Sequence, residues 1–488
     1  MNFNSGAFLL FLPLTVAAYW LLPHRLRWVL LLGASYYFYM YWNPWLVVLL
    51  LITTLTSYAA ALAMERWPRR RKPLLALTLV VCLGILAYFK YANFFLESFF
   101  FLFNHLTGGS GSLSLRLLLP VGISFYTFQT LSYVIDVYRG DFPAERHLGY
   151  YALFVVYFPQ LVAGPIENPR NLLPQLQTEH RLNQADLSAG FRLLLCGFFR
   201  KCAVADVLGV HVNAVFSSIG EANALAVASA GALFCLQMYC DFAGYSEIAA
   251  GSARLMGIRL MRNFDRPYLA QSYGEFFRRW HISLNQWFTS YLYIPLGGGR
   301  KGLGRKMLNT VIVFSLCGLW HGARWTYVLW GLYAAFFVCL ESLLKKPAGR
   351  LAVRMSLDLT SPTVKLLRRS YMFLIFIPAA LLFRAESFEQ VKELFAVLAS
   401  GWQMDNAAIR AALSSLRLDG LGVLWVLTAL LCMVKLYAWG LYDLPEAKTE
   451  TGSAARVTAE VYLLLVIALS WFSLLATQDA AGFAYFQF

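Results

Sequence analysis

Seven histidines are spread along the 488 residues, and two of them, His281 and His321, stand in dense aromatic and polar surroundings beside apolar segments. His321 lies in Gly318-Leu-Trp-His-Gly-Ala-Arg-Trp, inside a long apolar stretch, between two glycines and close to Arg324. An ionisable group at membrane depth is expensive, so it usually lines a cavity and acts there. A neutral imidazole can take a proton from a hydroxyl and return it, which acyl transfer to an alcohol requires. His321 is therefore a candidate general base. The same local features also fit a histidine bonded to a backbone carbonyl at a helix break, and the motif by itself leaves both roles open.

Around His281 the sequence runs Glu275-Phe-Phe-Arg-Arg-Trp-His-Ile-Ser-Leu-Asn-Gln-Trp. Helical spacing predicts Arg278, His281 and Asn285 on one face. Such a stripe could orient a phosphate-bearing donor or supply a second catalytic group, or it could be the solvated face of a helix lying flat on the membrane. Two further polar patches interrupt apolar runs. Gln237-Met-Tyr-Cys-Asp-Phe-Ala-Gly-Tyr-Ser-Glu sets Asp241, Tyr245 and Glu247 among small residues, as a polar substrate lining or as helix-to-helix glue. Phe158-Pro-Gln-Leu-Val-Ala-Gly-Pro-Ile-Glu holds two prolines and a glycine, which an uninterrupted helix does not tolerate, so a broken or re-entrant segment is expected. No Gly-x-Ser-x-Gly elbow, HExxH or Walker loop is present, so a hydrolase, metalloprotease or ATPase is poorly supported. The eight cysteines show no CxxC pair and no Cys/His spacing that suits zinc, and no metal site is expected.

These residues need a scaffold, and composition says which kind. Apolar residues make up 59% and charged residues 14% of the chain, with mean hydropathy +0.56, where a soluble protein would carry charge on about a quarter of its positions. The net charge of +15 comes from short basic clusters such as Arg66 to Lys72, with no nucleic-acid-binding module around them. Apolar segments long enough to matter in a bilayer fall near residues 8–22, 28–42, 46–63, 74–90, 117–138, 187–207, 224–250, 371–383, 420–439 and 457–477, with 307–343 long enough for two short helices broken near His321. The expected fold is an all-α polytopic membrane protein of about ten to twelve transmembrane helices plus re-entrant and interfacial ones. Basic loops at His24–Arg27 and Arg66–Lys72 predict both termini outside and the 254–306 stretch in the cytoplasm. A single membrane domain over 1–488 is expected, with N-terminal helices over 1–115, a catalytic core over about 116–343 and C-terminal helices over 344–488.

In order along the chain, Pro120-Val-Gly-Ile-Ser-Phe-Tyr-Thr-Phe-Gln, Ala163-Gly-Pro, Asp241-Phe-Ala-Gly-Tyr-Ser-Glu, Arg278-Arg-Trp-His-Ile-Ser-Leu, Tyr291-Leu-Tyr-Ile-Pro-Leu-Gly-Gly, Gly318-Leu-Trp-His-Gly, Phe383-Arg-Ala-Glu-Ser and Tyr485-Phe-Gln-Phe resemble the membrane-bound O-acyltransferase family, in its alginate O-acetyltransferase-like branch. The resemblance implies a ring of helices around a central tunnel, with the family's catalytic histidine at His321 and its second histidine at His281. It implies a cytoplasmic thioester donor, acetyl-CoA or an equivalent, and no permanently bound cofactor. Arg278, Arg279 and Arg300 would hold the donor's phosphates, while Trp320 and Trp325 would shape a dry pocket; Asn285, Asp241 and Tyr245 are further candidates for binding substrate. It further implies a bacterial inner-membrane enzyme and a polysaccharide acceptor reached through a separate extracytoplasmic acetyltransferase. D-alanyl transfer to teichoic acid, and transport of a polysaccharide or lipid without a covalent step, are the alternative readings.

Overall fold

A computed structural model describes residues 1–438 apart from Gly401, so the apolar segment at 457–477 and the Tyr485-Phe-Gln-Phe motif lie outside the described residues. A helix stands at each apolar segment anticipated before that point, and no strand occurs among the described residues. Among the described residues, five helical stretches are long and apolar enough to cross a membrane: Pro44–Arg66, Pro68–Thr107, Ala224–Arg254, Trp325–Arg354 and Pro362–Arg384. The remaining anticipated segments are also helical, several of them shorter than a bilayer core of about 30 Å needs, as in Gly6–Leu21.

Three departures from the sequence-based expectation have local causes. The helix expected from 117 begins only at Ile123, because Gly122 takes a left-handed φ of 72°. A Cβ at Gly122 would stand 2.6 Å from the Leu161 carbonyl oxygen, so a glycine lets this turn press against the broken 158–167 segment. The segment ending near residue 90 instead continues through a π-helical turn, Ala87–Tyr91, into Ala92–Thr107, and stops where Gly108 adopts φ 68°. The apolar segments expected to end near 343 and to begin near 371 extend toward each other as helix, since Trp325–Arg354 and Pro362–Arg384 leave only a short connection.

Two helix packings are unusually close. Leu303–His321 and Trp325–Arg354 form an antiparallel hairpin, in which a Cβ at Gly318 would overlap the Tyr327 carbonyl and one at Gly331 would overlap the Phe314 carbonyl. Gln184–Phe198 packs on Ala224–Arg254, where a Cβ at either Gly197 or Gly244 would lie 2.7 Å from the other's carbonyl oxygen. Small residues let helices approach this closely where lipid offers no hydrophobic drive for them to associate.

Candidate active site

His321 is the last residue of its helix, and Gly322 beyond it is extended (φ −161°, ψ 151°), so the expected break near this residue is present. A helix end leaves orphan carbonyls that need donors. Here they come from the π-helical turn of a distant segment. Tyr91 Oη donates to the Leu319 carbonyl at 2.8 Å, and Lys90 Nζ donates to the Trp320 carbonyl, to the His321 carbonyl at 3.4 Å and to Ser124 Oγ at 3.1 Å. A cation at a helix C-terminus also opposes the negative end of the helix dipole. The backbone of His321 is thereby held in place, and the residue as a whole is half-buried.

That ring sits among aromatic neighbours. Trp320, Trp330 and Phe383 lie at centroid distances of 5.1, 5.3 and 5.3 Å, and the His281 ring is at 6.5 Å. His281 is buried, with Phe242 at 4.6 Å and Trp320 at 5.7 Å. The chain thus brings together the two histidines singled out in the sequence, although 40 residues separate them, with Trp320 touching both. Among the described residues no cluster of His, Cys, Asp and Glu is arranged to hold a metal ion.

The predicted stripe of Arg278, His281 and Asn285 does not form. Trp280 is extended and His281 adopts a left-handed φ of 46°, so the segment is two short helices, Tyr273–Arg279 and Ile282–Phe288, and the three residues share no helical face. Asn285 turns inward as a brace: its Nδ2 donates to the carbonyls of Phe277 at 2.6 Å and Trp280 at 2.7 Å. Arg279 pairs with Glu275 at 2.9 Å, whereas Arg278 and Arg300 are exposed. Trp325 packs on Phe94 and donates from Nε1 to Ser98 Oγ at 3.0 Å, so the wall expected of it is supplied by Trp330 instead. Asp241 is paired with Lys201 at 2.8 Å, Tyr245 stacks on Phe3 at 4.3 Å, and Phe242 on the same helix meets His281.

The site also uses residues that motif reading passed over. Lys90 is the main one, and its signal was in plain view, because a lone lysine inside an apolar run is costly unless it has a task. Trp330 carries no local signal, since only the Gly318 to Tyr327 contact decides which tryptophan of the second helix faces His321.

The described residues form a helical scaffold in which two histidines face each other in an aromatic pocket, and the chain belongs to the membrane-bound O-acyltransferase family, whose sequence profile matches residues 31–377. The protein is an acyltransferase acting on hydroxyl groups. It is 35% identical to a probable alginate O-acetylase (AlgI) of Azotobacter vinelandii over the full length of both chains, and 32% identical to a peptidoglycan O-acetyltransferase of Helicobacter pylori over 68% of each. It is 26% identical to a teichoic acid D-alanyltransferase of Bacillus subtilis over 46% of this chain and 60% of that one.

Proposed function

We propose that the protein passes an acetyl group from a cytoplasmic thioester, acetyl-CoA or an equivalent, to a hydroxyl on the far side of a bacterial inner membrane, for O-acetylation of an exported or cell-surface polysaccharide. The observation that carries this reading is the His281–His321 pair at 6.5 Å within a wall of Trp320, Trp330 and Phe383. His321 takes the hydroxyl proton as the oxygen attacks the thioester carbonyl. The new C–O bond forms, the C–S bond breaks, and the proton passes from the imidazolium to the departing thiolate, so that free thiol and ester are the products. A thioester is already activated, and the step needs no metal. Exposed Arg278 and Arg300 suit the phosphates of the donor. Full-length similarity to alginate O-acetylases supports the acetyl and polysaccharide assignment over D-alanyl transfer, where similarity reaches less than half of the chain. A separate extracytoplasmic acetyltransferase completes transfer to the sugar.

The test is release of free CoA from acetyl-CoA by the purified protein with acceptor polysaccharide and partner, in wild type and His321→Ala. Loss of release in a variant that elutes and melts as wild type does supports His321 as the base. Equal release from both overturns it, and substrate transport without thioester cleavage favours a transporter.

A further inference from the structure

We infer that Asn263 is a positioning residue that keeps the His281 ring protonated on Nδ1, so that the opposite nitrogen, Nε2, offers a lone pair to the site. This inference rests on the acyl-transfer reading for its purpose, but on hydrogen-bond accounting for its content.

Asn263 is buried, and three groups converge on its Oδ1: Ser283 N at 3.4 Å, Ser283 Oγ at 3.0 Å and His281 Nδ1 at 3.1 Å. An amide can be flipped in a structure, so its orientation must come from its partners. Ser283 N can only donate, which requires an oxygen facing it. Ser283 Oγ already accepts from Ile166 N at 3.1 Å, leaving its own proton for Asn263, while Asn263 Nδ2 donates to Ser246 Oγ at 3.1 Å on the other side. Both faces of the amide are thereby assigned. The ring nitrogen at 3.1 Å from that oxygen must then be a donor, and a neutral imidazole with a proton on Nδ1 has none on Nε2. Nε2 of His281 is buried with no hydrogen-bond partner among the described residues. A buried polar atom left in that state is costly unless something is bound to it during function.

The backbone of Asn263 makes a second hold. Its carbonyl accepts from Ile282 N at 2.9 Å, directly after His281 in its left-handed conformation. Such a φ is uncommon outside glycine and persists only where the surroundings fix it. Asn263 therefore fixes the chain on one side of His281 and the ring on the other. The result is a nitrogen that can accept a proton or hydrogen bond from a reacting hydroxyl and cannot donate one.

Two measurements on the full-length protein in detergent test this. Histidine labelled with 15N gives the tautomer directly, with the His281 signal assigned by its loss in His281→Gln. A Nδ1-protonated ring in wild type that becomes a mixture in Asn263→Leu is the expected result, and a Nε2-protonated ring in wild type overturns the inference. In the CoA-release assay, Asn263→Leu lowers kcat at least tenfold with KM for the thioester within about twofold. Asn263→Asp, which still accepts from Nδ1, recovers most of that loss. Wild-type kcat in Asn263→Leu, or equal loss in two folded variants, overturns it. Absence of thioester cleavage in wild type would defeat the acyl-transfer reading alone, since the tautomer is read without turnover.

Discussion

Two polar clusters interrupt the apolar interior, and they are built on opposite terms. Around the π-helical turn Phe199–Ala205, Arg200 pairs with Glu247, and Lys201 pairs with Asp206 at 2.7 Å and Asp241 at 2.8 Å, so five buried or nearly buried charges answer one another across a helix packing. Around another π-helical turn, Ala87–Tyr91, the hydrogen bonds of a single lysine go to neutral oxygens among the described residues, and two imidazoles face each other. The first cluster is saturated with opposite charge and behaves as glue. The second holds, at His281 Nε2, a buried acceptor with no partner among the described residues, which is what a proton-handling site needs. A polar residue at membrane depth is thus a functional signal only after its partners have been counted.

Variants in each cluster test this contrast. The largest effect is expected for His321→Ala, where turnover falls by about 10²- to 10⁴-fold, as is typical of losing a general base, while thermal unfolding in detergent is unchanged. Next comes Lys201→Ala, which strands Asp206 and Asp241. It lowers stability by roughly 3–5 kcal/mol in a denaturation assay, while activity per folded molecule persists. A collapse of turnover in folded Lys201→Ala protein would move Asp241 into the site. Lys90→Met should reduce kcat by about 10- to 100-fold, the range expected from losing charge-assisted hydrogen bonds that place the His321 backbone. Its readout is kcat against KM for the thioester, with Lys90→Arg recovering part of the loss. The smallest effect belongs to Trp325→Phe, which keeps the ring on Phe94 and loses one exposed hydrogen bond to Ser98, with turnover within about twofold of wild type.

Much of this could be read in the chain before any coordinates. Apolar segment lengths located the helices up to residue 438, and the glycine after His321 marked its helix end. The two histidines that the sequence singles out come together in the fold, with their ring centroids 6.5 Å apart. What could not be read was lateral. Lys90 reaches the carbonyl of a residue 230 positions away, and the amide of Asn263 meets a ring 18 positions on through a turn whose left-handed residue carries no sequence signature. Periodicity misled at Arg278, His281 and Asn285, because it presumes an unbroken helix and the chain breaks one residue before the histidine. The sequence leaves Asp241 open between a lining and a packing role, since its partner Lys201 lies on a separate helix, and a carboxylate's sequence neighbours do not reveal a cation packed from across an interface.

The long helical stretch Pro68–Thr107 also sets a distance. At 1.5 Å per residue, Lys90 lies about 33 Å along the axis from the basic end at Pro68, close to the full depth of a hydrocarbon core. The His321 carbonyl that Lys90 holds is thereby tied about 33 Å along this helix from its basic end. On the proposed reading, an acyl group delivered from the Pro68 end travels nearly that whole length before it meets His321, whereas a hydroxyl from the other end has a shorter path. The helix thus acts as a ruler, and on that reading it gives the longer path to the slender, flexible reactant.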